Sequence, residues 1–116
     1  MSILVGTATF TAGTGTKTLA IGFTPTWVRV TVGGSLGGTA YYRKSVGFGT
    51  SVNQYAISDT ASSVSDPQSG KIIQLKDNTG TIIFEGSLTS FPTNQIQFNI
   101  TTAPSTMPQV IIECGN

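Results

Sequence analysis

Residues 27–32 read Trp-Val-Arg-Val-Thr-Val, and this strict alternation decides the fold class. Successive side chains of a β-strand point to opposite faces, so the three valines share one face. Trp27, Arg29 and Thr31 share the other face. We therefore predict a strand that buries its valines in a hydrophobic core and carries Trp27 and Arg29 on its second face.

The same two-residue period recurs towards the end of the chain. Residues 95–101 alternate Ile and Phe with Gln, Asn and Thr, which is typical of a half-buried strand with a polar outer face. Residues 110–114 alternate in the same way. The predicted core consists of Val28, Val30, Val32, Ile96, Phe98, Ile100, Val110 and Ile112.

The remaining sequence consists of short alternating runs separated by Gly, Ser, Thr, Asn and Pro, without helical periodicity. Residues 77–80, Asp-Asn-Thr-Gly, lie between two apolar runs and predict a β-hairpin. Residues 58–70 have turn composition, with Asp66-Pro67 marking a turn. Residues 47–49, Gly-Phe-Gly, are interpreted as the joint between two strands. We predict one all-β domain over residues 1–116, a jelly-roll-like β-sandwich of about seven to nine mostly antiparallel strands.

Charge is the unusual feature of the composition. Asp, Glu, Lys and Arg make up 9% of the chain, with a net charge of +1, against an average of about 25% charged residues. A surface of hydroxyls and amides has little repulsion to keep copies apart, so the chain is either a neutral free domain or a subunit of an assembly. The low charge argues against nucleic-acid binding, which needs clustered Lys and Arg. No signal peptide and no apolar run of about 20 residues is visible, so no membrane partner is expected.

The residues needed for most catalysis are missing. The chain has no His, which excludes Ser-His-Asp and Cys-His arrangements. Zinc sites need several Cys or His, and Cys114 is the single cysteine. Residues 13–18 depart from the phosphate-binding loop, which needs a second Gly before its Lys and a following helix. We expect no enzyme activity, no catalytic residue, no metal and no cofactor.

Aromatic and basic residues occur together in two places, and such residues are over-represented at the energetic centres of interfaces. The candidate interface residues are Trp27, Arg29, Tyr41, Tyr42 and Arg43. Two interpretations of Trp27 stay open: an interface anchor, or a core residue of a two-layer protein. Tyr41 and Tyr42 occupy opposite faces of one predicted strand, so at least one of them is expected at a boundary or interface.

The opening third of the chain resembles short β-domains of tailed-phage virions. Residues 6–13 read Gly-Thr-Ala-Thr-Phe-Thr-Ala-Gly, and residues 21–30 read Ile-Gly-Phe-Thr-Pro-Thr-Trp-Val-Arg-Val. A Gly/Thr-rich first strand followed by a Phe-Thr-Pro-x-aromatic-Val-x-Val phrase is similar to head decoration (cement) proteins and tail-fibre modules. The remainder of the chain resembles these domains in composition only.

This resemblance implies a phage structural protein that stabilises the head by binding to the capsid surface. It implies a homo-oligomer, a trimer, whose partner is the major capsid protein and which is made in the host cytoplasm and located on the virion. The alternative is a carbohydrate- or host-receptor-binding module of a tail fibre, with a glycan as partner. A third class, a bacterial adhesion or pilus-type subunit, would require a secretory signal.

Overall fold

The computed structural model of the chain describes residues 1–33, 44–59, 65–77 and 79–116, and all regular secondary structure in these ranges is β-strand. The strands are β1 (Ile3–Ala8), β2 (Gly15–Ala20), β3 (Trp27–Gly33), β4 (Lys44–Thr50), β5 (Gln54–Asp59), β6 (Ser65–Ser69), β7 (Ile73–Lys76), β8 (Ile82–Ser90), β9 (Gln95–Thr102) and β10 (Val110–Gly115). They form a six-stranded sheet in the order β1-β10-β3-β4-β5-β6 and a four-stranded sheet in the order β2-β9-β8-β7. All of the pairings between them are antiparallel. The prediction of an all-β antiparallel sandwich is confirmed.

The described strands number ten rather than seven to nine, because residues 58–70 contain a strand where turn composition predicted none. Strand β6 includes the Asp66-Pro67 pair that was interpreted as a turn signal. Among the described strands it pairs with β5 alone, and it forms one edge of the six-stranded sheet. An edge strand tolerates proline because one side of its backbone has no ladder to complete.

The jelly-roll character is concentrated at the two ends of the chain. The first and last strands, β1 and β10, pair in the six-stranded sheet, and β2 and β9 pair in the four-stranded sheet. Such nested pairs in opposite layers are how a jelly roll winds. Strands β3 to β6 instead follow one another as a meander within a single sheet.

The core lies between the sheets and contains every residue that alternation predicted for it. All eight predicted residues are at most 2% exposed: Val28, Val30, Val32, Ile96, Phe98, Ile100, Val110 and Ile112. Phe10 packs its ring 5.3 Å from that of Phe98. Cys114 is buried in the same cluster without a disulfide, and its burial raises the pKa of its thiol, which keeps it protonated and unreactive.

Gly47 and Gly49 lie inside β4 and do not join two strands. A Cβ on Gly47 would collide with the backbone carbonyl of Ile72, and one on Gly49 would lie 2.8 Å from Cδ2 of Leu88. The glycines are therefore explained by the close approach of the two sheets at β4. The sequence interpretation was wrong here because a glycine in a strand and a glycine in a turn look alike in sequence.

One side chain joins the two sheets by hydrogen bonds. The Gln54 side-chain amide donates to the Leu88 carbonyl (2.8 Å) and its oxygen accepts from the Leu88 N–H (2.7 Å), so one side chain bonds β5 to β8 across the layers.

The predicted hairpin between β7 and β8 is confirmed. Asp77 Oδ1 accepts from the backbone N–H groups of Thr79 (2.9 Å) and Thr81 (3.0 Å), and Gly80 takes a positive φ of 87°.

Candidate interaction face

The outward side of the six-stranded sheet carries most of the exposed apolar side chains. Eight large hydrophobic residues are exposed in the described part of the chain, and six of them lie on this side. These six are Ile3, Val5, Ile111, Phe48, Tyr55 and Ile57. We call the outward-pointing residues of β1, β10, β3, β4 and β5 the apolar face. Exposed apolar side chains gathered on one face are characteristic of interaction sites.

Cross-strand pairing aligns these side chains into rows. The central row runs through Val5, Glu113, Arg29, Phe48 and Tyr55, each directly paired with the next. A second row runs through Thr7, Ile111, Thr31, Val46 and Ile57, and a third through Ile3, Gly115, Trp27 and Thr50. Directly opposed residues of neighbouring strands point to the same face, so the rows form one surface.

Arg29 and Glu113 form an ion pair in the middle of the apolar face. Arg29 Nε donates to Glu113 Oε1 (3.1 Å) and a terminal guanidinium nitrogen donates to Oε2 (2.7 Å). The hydrogen bond from Arg29 holds the pKa of the Glu113 carboxyl below its ordinary value, and the same contact raises the pKa of Arg29. Both charges therefore stay ionised and cancel locally, so this pair adds no net charge to the face.

Trp27 lies flat on the apolar face and is half-buried there. Its ring stacks on that of Phe48, with centroids 6.1 Å apart and planes 16° from parallel. Gly115 is its neighbour on β10, and a Cβ at Gly115 would lie 2.8 Å from the indole. Of the two interpretations of Trp27, the structure places it outside the core between the sheets, on the same face as Arg29.

The other three candidate residues, Tyr41, Tyr42 and Arg43, lie outside the described residues. Sequence reasoning missed Glu113 as the partner of Arg29, since the two are 84 positions apart and only the β10–β3 pairing joins them. It missed Phe48 because residues 47–49 were interpreted as a joint. The alternation in residues 3–7 and 55–57 was the available signal for the rest of the face.

The opposite outer face, on the four-stranded sheet, has a different chemistry. Its outward positions on β2 and β9 are Thr16, Thr18, Gln97 and Asn99, paired across the strands. Ser87 of β8 continues the row from Asn99. We call these outward positions of β2, β9 and β8 the polar face, and none of the eight exposed large hydrophobic residues belongs to it.

Groups for catalysis or metal binding do not come together within the described ranges. These residues contain no group of three or more His, Cys, Asp or Glu side chains placed to hold a metal ion. Glu85 contacts Lys71 at 3.4 Å and accepts from the Gln74 amide at 2.8 Å, while Asp77 is bound within its own turn. As far as the structure describes the chain, it contains no helix long and apolar enough to cross a membrane.

Comparison of the chain with protein-family models, with curated proteins and with solved structures finds no match. The resemblance to phage virion domains therefore depends on the opening residues alone.

Proposed function

We propose that this chain is a non-enzymatic assembly protein that docks through its apolar face onto an uncharged protein surface. The observation that carries the proposal is the concentration of six of the eight exposed large hydrophobic residues on one sheet face. Single exposed apolar residues are normal on soluble proteins, whereas an aligned set is not.

The electrostatics of the apolar face define the partner. Arg29 and Glu113 satisfy each other, so docking onto an apolar surface leaves neither charge without its counterion. Burying a large apolar side chain contributes about 1.5–3 kcal/mol before the cost of association. A partner that is flat, apolar and uncharged where it meets the Arg29–Glu113 pair and its apolar neighbours fits these terms best. Exposed Lys44 at the end of β4 limits this uncharged area on one side.

The particular assembly we propose is the head of a tailed phage, with the chain as a capsid decoration protein bound to the major capsid protein. The support is the resemblance of residues 6–30 to virion β-domains and the charge-poor composition of 9% charged residues. Many copies on one lattice give avidity without large contacts in each copy. The virion location and the absence of nucleic-acid and membrane partners are part of the same proposal. The trimer that the resemblance implies stays a prediction, and it is the competing outcome when the mass of the chain alone is measured.

Reconstitution on empty heads tests this function. Heads assembled from the major capsid protein alone are mixed with the purified chain and sedimented. The wild type should bind saturably, and Phe48→Ser and Ile57→Ser should weaken binding at least about tenfold, which is about 1.4 kcal/mol.

The matched control is Val52→Ser. Val52 is 81% exposed but lies in the turn between β4 and β5, outside both sheets. Equal binding by wild type, Phe48→Ser and Ile57→Ser would show that the face is not the docking surface. No saturable binding of the wild type would overturn the decoration role.

One observation favours a second function, glycan binding by a tail-fibre module. Trp27, Phe48 and Tyr55 place three aromatic rings next to one another on the apolar face. The C–H faces of sugar rings pack on such aromatic surfaces, with hydroxyl groups directed to the rim. A glycan array probed with wild type and Tyr55→Ala decides between the two functions: a glycan signal that Tyr55→Ala removes would favour the fibre module.

A further inference from the structure

The two sheets have four edge strands among the described residues, and three of them carry features that discourage pairing with another chain. Strand β6 contains Pro67. Strand β7 has only four residues and a register shift between Leu75 and Lys76. Strand β2 directs Lys17 towards the core side, where the residue is 8% exposed and its Nζ donates to Thr11 Oγ1 at 3.0 Å. Proline, bulges, short length and inward charges are the usual protection of sheet edges.

Strand β1 is the exception. Residues 3–8 read Ile-Leu-Val-Gly-Thr-Ala, with no charge and no proline. Its pairing with β10 runs over all six residues without a register shift. Ile3 and Val5 are exposed on its outer side. An edge that is regular, apolar and unprotected is a template for another strand.

The free hydrogen-bonding groups of this edge belong to Ile3, Val5 and Thr7. The Asn116 N–H donates to the Ser2 carbonyl (3.2 Å), so Ser2 forms a hydrogen-bonded pair with the residue that follows β10. Hydrogen-bonded and non-bonded pairs alternate along an antiparallel ladder. Every second residue after Ser2 therefore bonds to β10, and residues 3, 5 and 7 direct their N–H and C=O groups away from it.

We infer that β1 pairs antiparallel with β1 of a second copy, about a twofold axis that passes beside Val5. In this register Val5 bonds to Val5 of the other copy, and Ile3 and Thr7 bond to each other reciprocally, so every free group finds a partner. On the inward side Leu4 lies opposite Gly6, a large residue against one with no side chain. The strand is thus complementary to itself, and this argues for a second copy as the occupant.

An apolar groove beside β1 supports the same contact. It has a volume of about 360 Å³ and runs between β1 and β2, where the edges of the two sheets stand apart. Leu19, Ile21 and Ile112 line it together with β1. The inward Leu4 of the second copy would cover this groove. The paired six-stranded sheets would become continuous, and the apolar faces of both copies would remain available for docking.

Light scattering during size-exclusion chromatography tests the inference on the chain alone. The wild type should elute with a mass of about 24 kDa, twice the 12.1 kDa of one chain. Val5→Pro removes one outward N–H and leaves the bonds to β10 intact, because proline is tolerated where its nitrogen faces away from the ladder. It should raise the dimer dissociation constant at least tenfold, whereas Val5→Thr, which keeps the N–H, should stay dimeric.

A charge pair tests the register and does not depend on proline. Val5→Lys and Val5→Glu should each be monomeric, since each places like charges opposite each other across the axis. Their mixture should form a heterodimer. A wild-type monomer, a trimer mass of about three chains, or no rescue in the mixture would overturn the inference.

The result is separable from the capsid experiment. Phe48→Ser should stay dimeric while it loses docking, because Phe48 lies three strands away from β1 in the sheet order. Far-UV circular dichroism and denaturation midpoints confirm that each variant is folded. A loss of dimer in Phe48→Ser would place the contact on the apolar face and overturn the β1 assignment.

Discussion

The two outer faces of this sandwich use the same backbone geometry with opposite chemistry. On the four-stranded sheet, the outward positions of β2 and β9 are hydroxyls and amides such as Thr18 and Gln97. On the six-stranded sheet the equivalent outward positions include Phe48, Tyr55 and Ile57. Apolar side chains that stay exposed to water do not stabilise an isolated domain by burial. The proposed function accounts for this difference, since it leaves the polar face in solvent and uses the apolar face for docking.

The faces also differ in how charge is handled. The apolar face confines two of the few charges of the chain to one bidentate ion pair, Arg29–Glu113. A pair of this geometry specifies orientation as well as energy. Lys44 also lies on this face, exposed at the end of β4 opposite Gly33, so the face is locally neutral at the ion pair and charged at that end.

The largest expected effect is on the free energy of unfolding, and it distinguishes a phenylalanine of the core from one on the apolar face. Phe98 is fully buried and Phe48 is 48% exposed. Phe98→Ala should lower the free energy of unfolding by about 3–5 kcal/mol, because it leaves a cavity between the sheets. Phe48→Ala should cost about 1 kcal/mol or less, mainly through its stacking on Trp27. Chemical denaturation measures both, and equal losses would mean that the apolar face is structural.

A charge placed on each face sharpens the comparison directly. Ile57→Lys adds a charge to the apolar face and Thr18→Lys adds the same charge to the polar face. The first should weaken binding to empty heads at least about tenfold, since an unpaired charge would be desolvated on docking. The second should leave binding unchanged. If both variants bound alike in the sedimentation experiment, the two faces would be equivalent in function.

Trp27→Ala should have an intermediate effect. The substitution removes the stack on Phe48, worth about 0.5–1.5 kcal/mol, and uncovers the backbone at Gly115. Docking should weaken several-fold with an unchanged far-UV circular dichroism spectrum. Unaltered docking would restrict the role of Trp27 to packing over β10.

The smallest expected effect is a dependence on pH. The pKa of Glu113 is lowered in the folded chain, so its contribution to stability is complete above the ordinary glutamate pKa of about 4.3. It is lost as the pH falls through the lower folded value. The denaturation midpoint should move little because the pair is exposed. Docking should weaken in acid, because Arg29 then stands uncompensated on the apolar face.

The double variant Arg29→Gln/Glu113→Gln is the control for this pH dependence. It has no ionisable group at the pair, so docking measured from neutral to acid pH should be flatter than for the wild type. An identical pH profile in the double variant would assign the effect to other carboxylates.

The sequence was sufficient for the layers but not for their arrangement. Alternation in residues 27–32 and 95–101 predicted which side chains are buried, because successive side chains of a strand point to opposite faces of the sheet. It also placed Trp27 and Arg29 on one face. Which strands are neighbours depends on contacts between distant residues, so the pairing of Arg29 with Glu113 had no local signal.

Local signals also misled in particular places. Pro67 predicted a turn in a segment that forms edge strand β6, since proline is compatible with either. Gly47 and Gly49 predicted a joint, whereas their small size serves the contact with Ile72 and Leu88. These contacts form only when the two sheets pack together, so the composition of the segment alone could not predict them.

The nesting of the first and last strands has a consequence for the time course of folding. Strand β10 lies between β1 and β3, so β1 has no place in the sheet until β10 has arrived. Along the chain β10 follows every other described strand, and during synthesis it is therefore made last of these. The strands of the meander β3 to β6 follow one another along the chain, so their pairing is expected to form early. The β1–β10 pairing joins residues that are far apart in sequence, so it costs more loop-closure entropy and is expected to form later. The open edge of β1 is thus expected to form only after β10, which supplies Val110, Ile112 and Cys114 to the core, has taken its place in the sheet. A chain that is still being made would then not yet offer this edge to its neighbours.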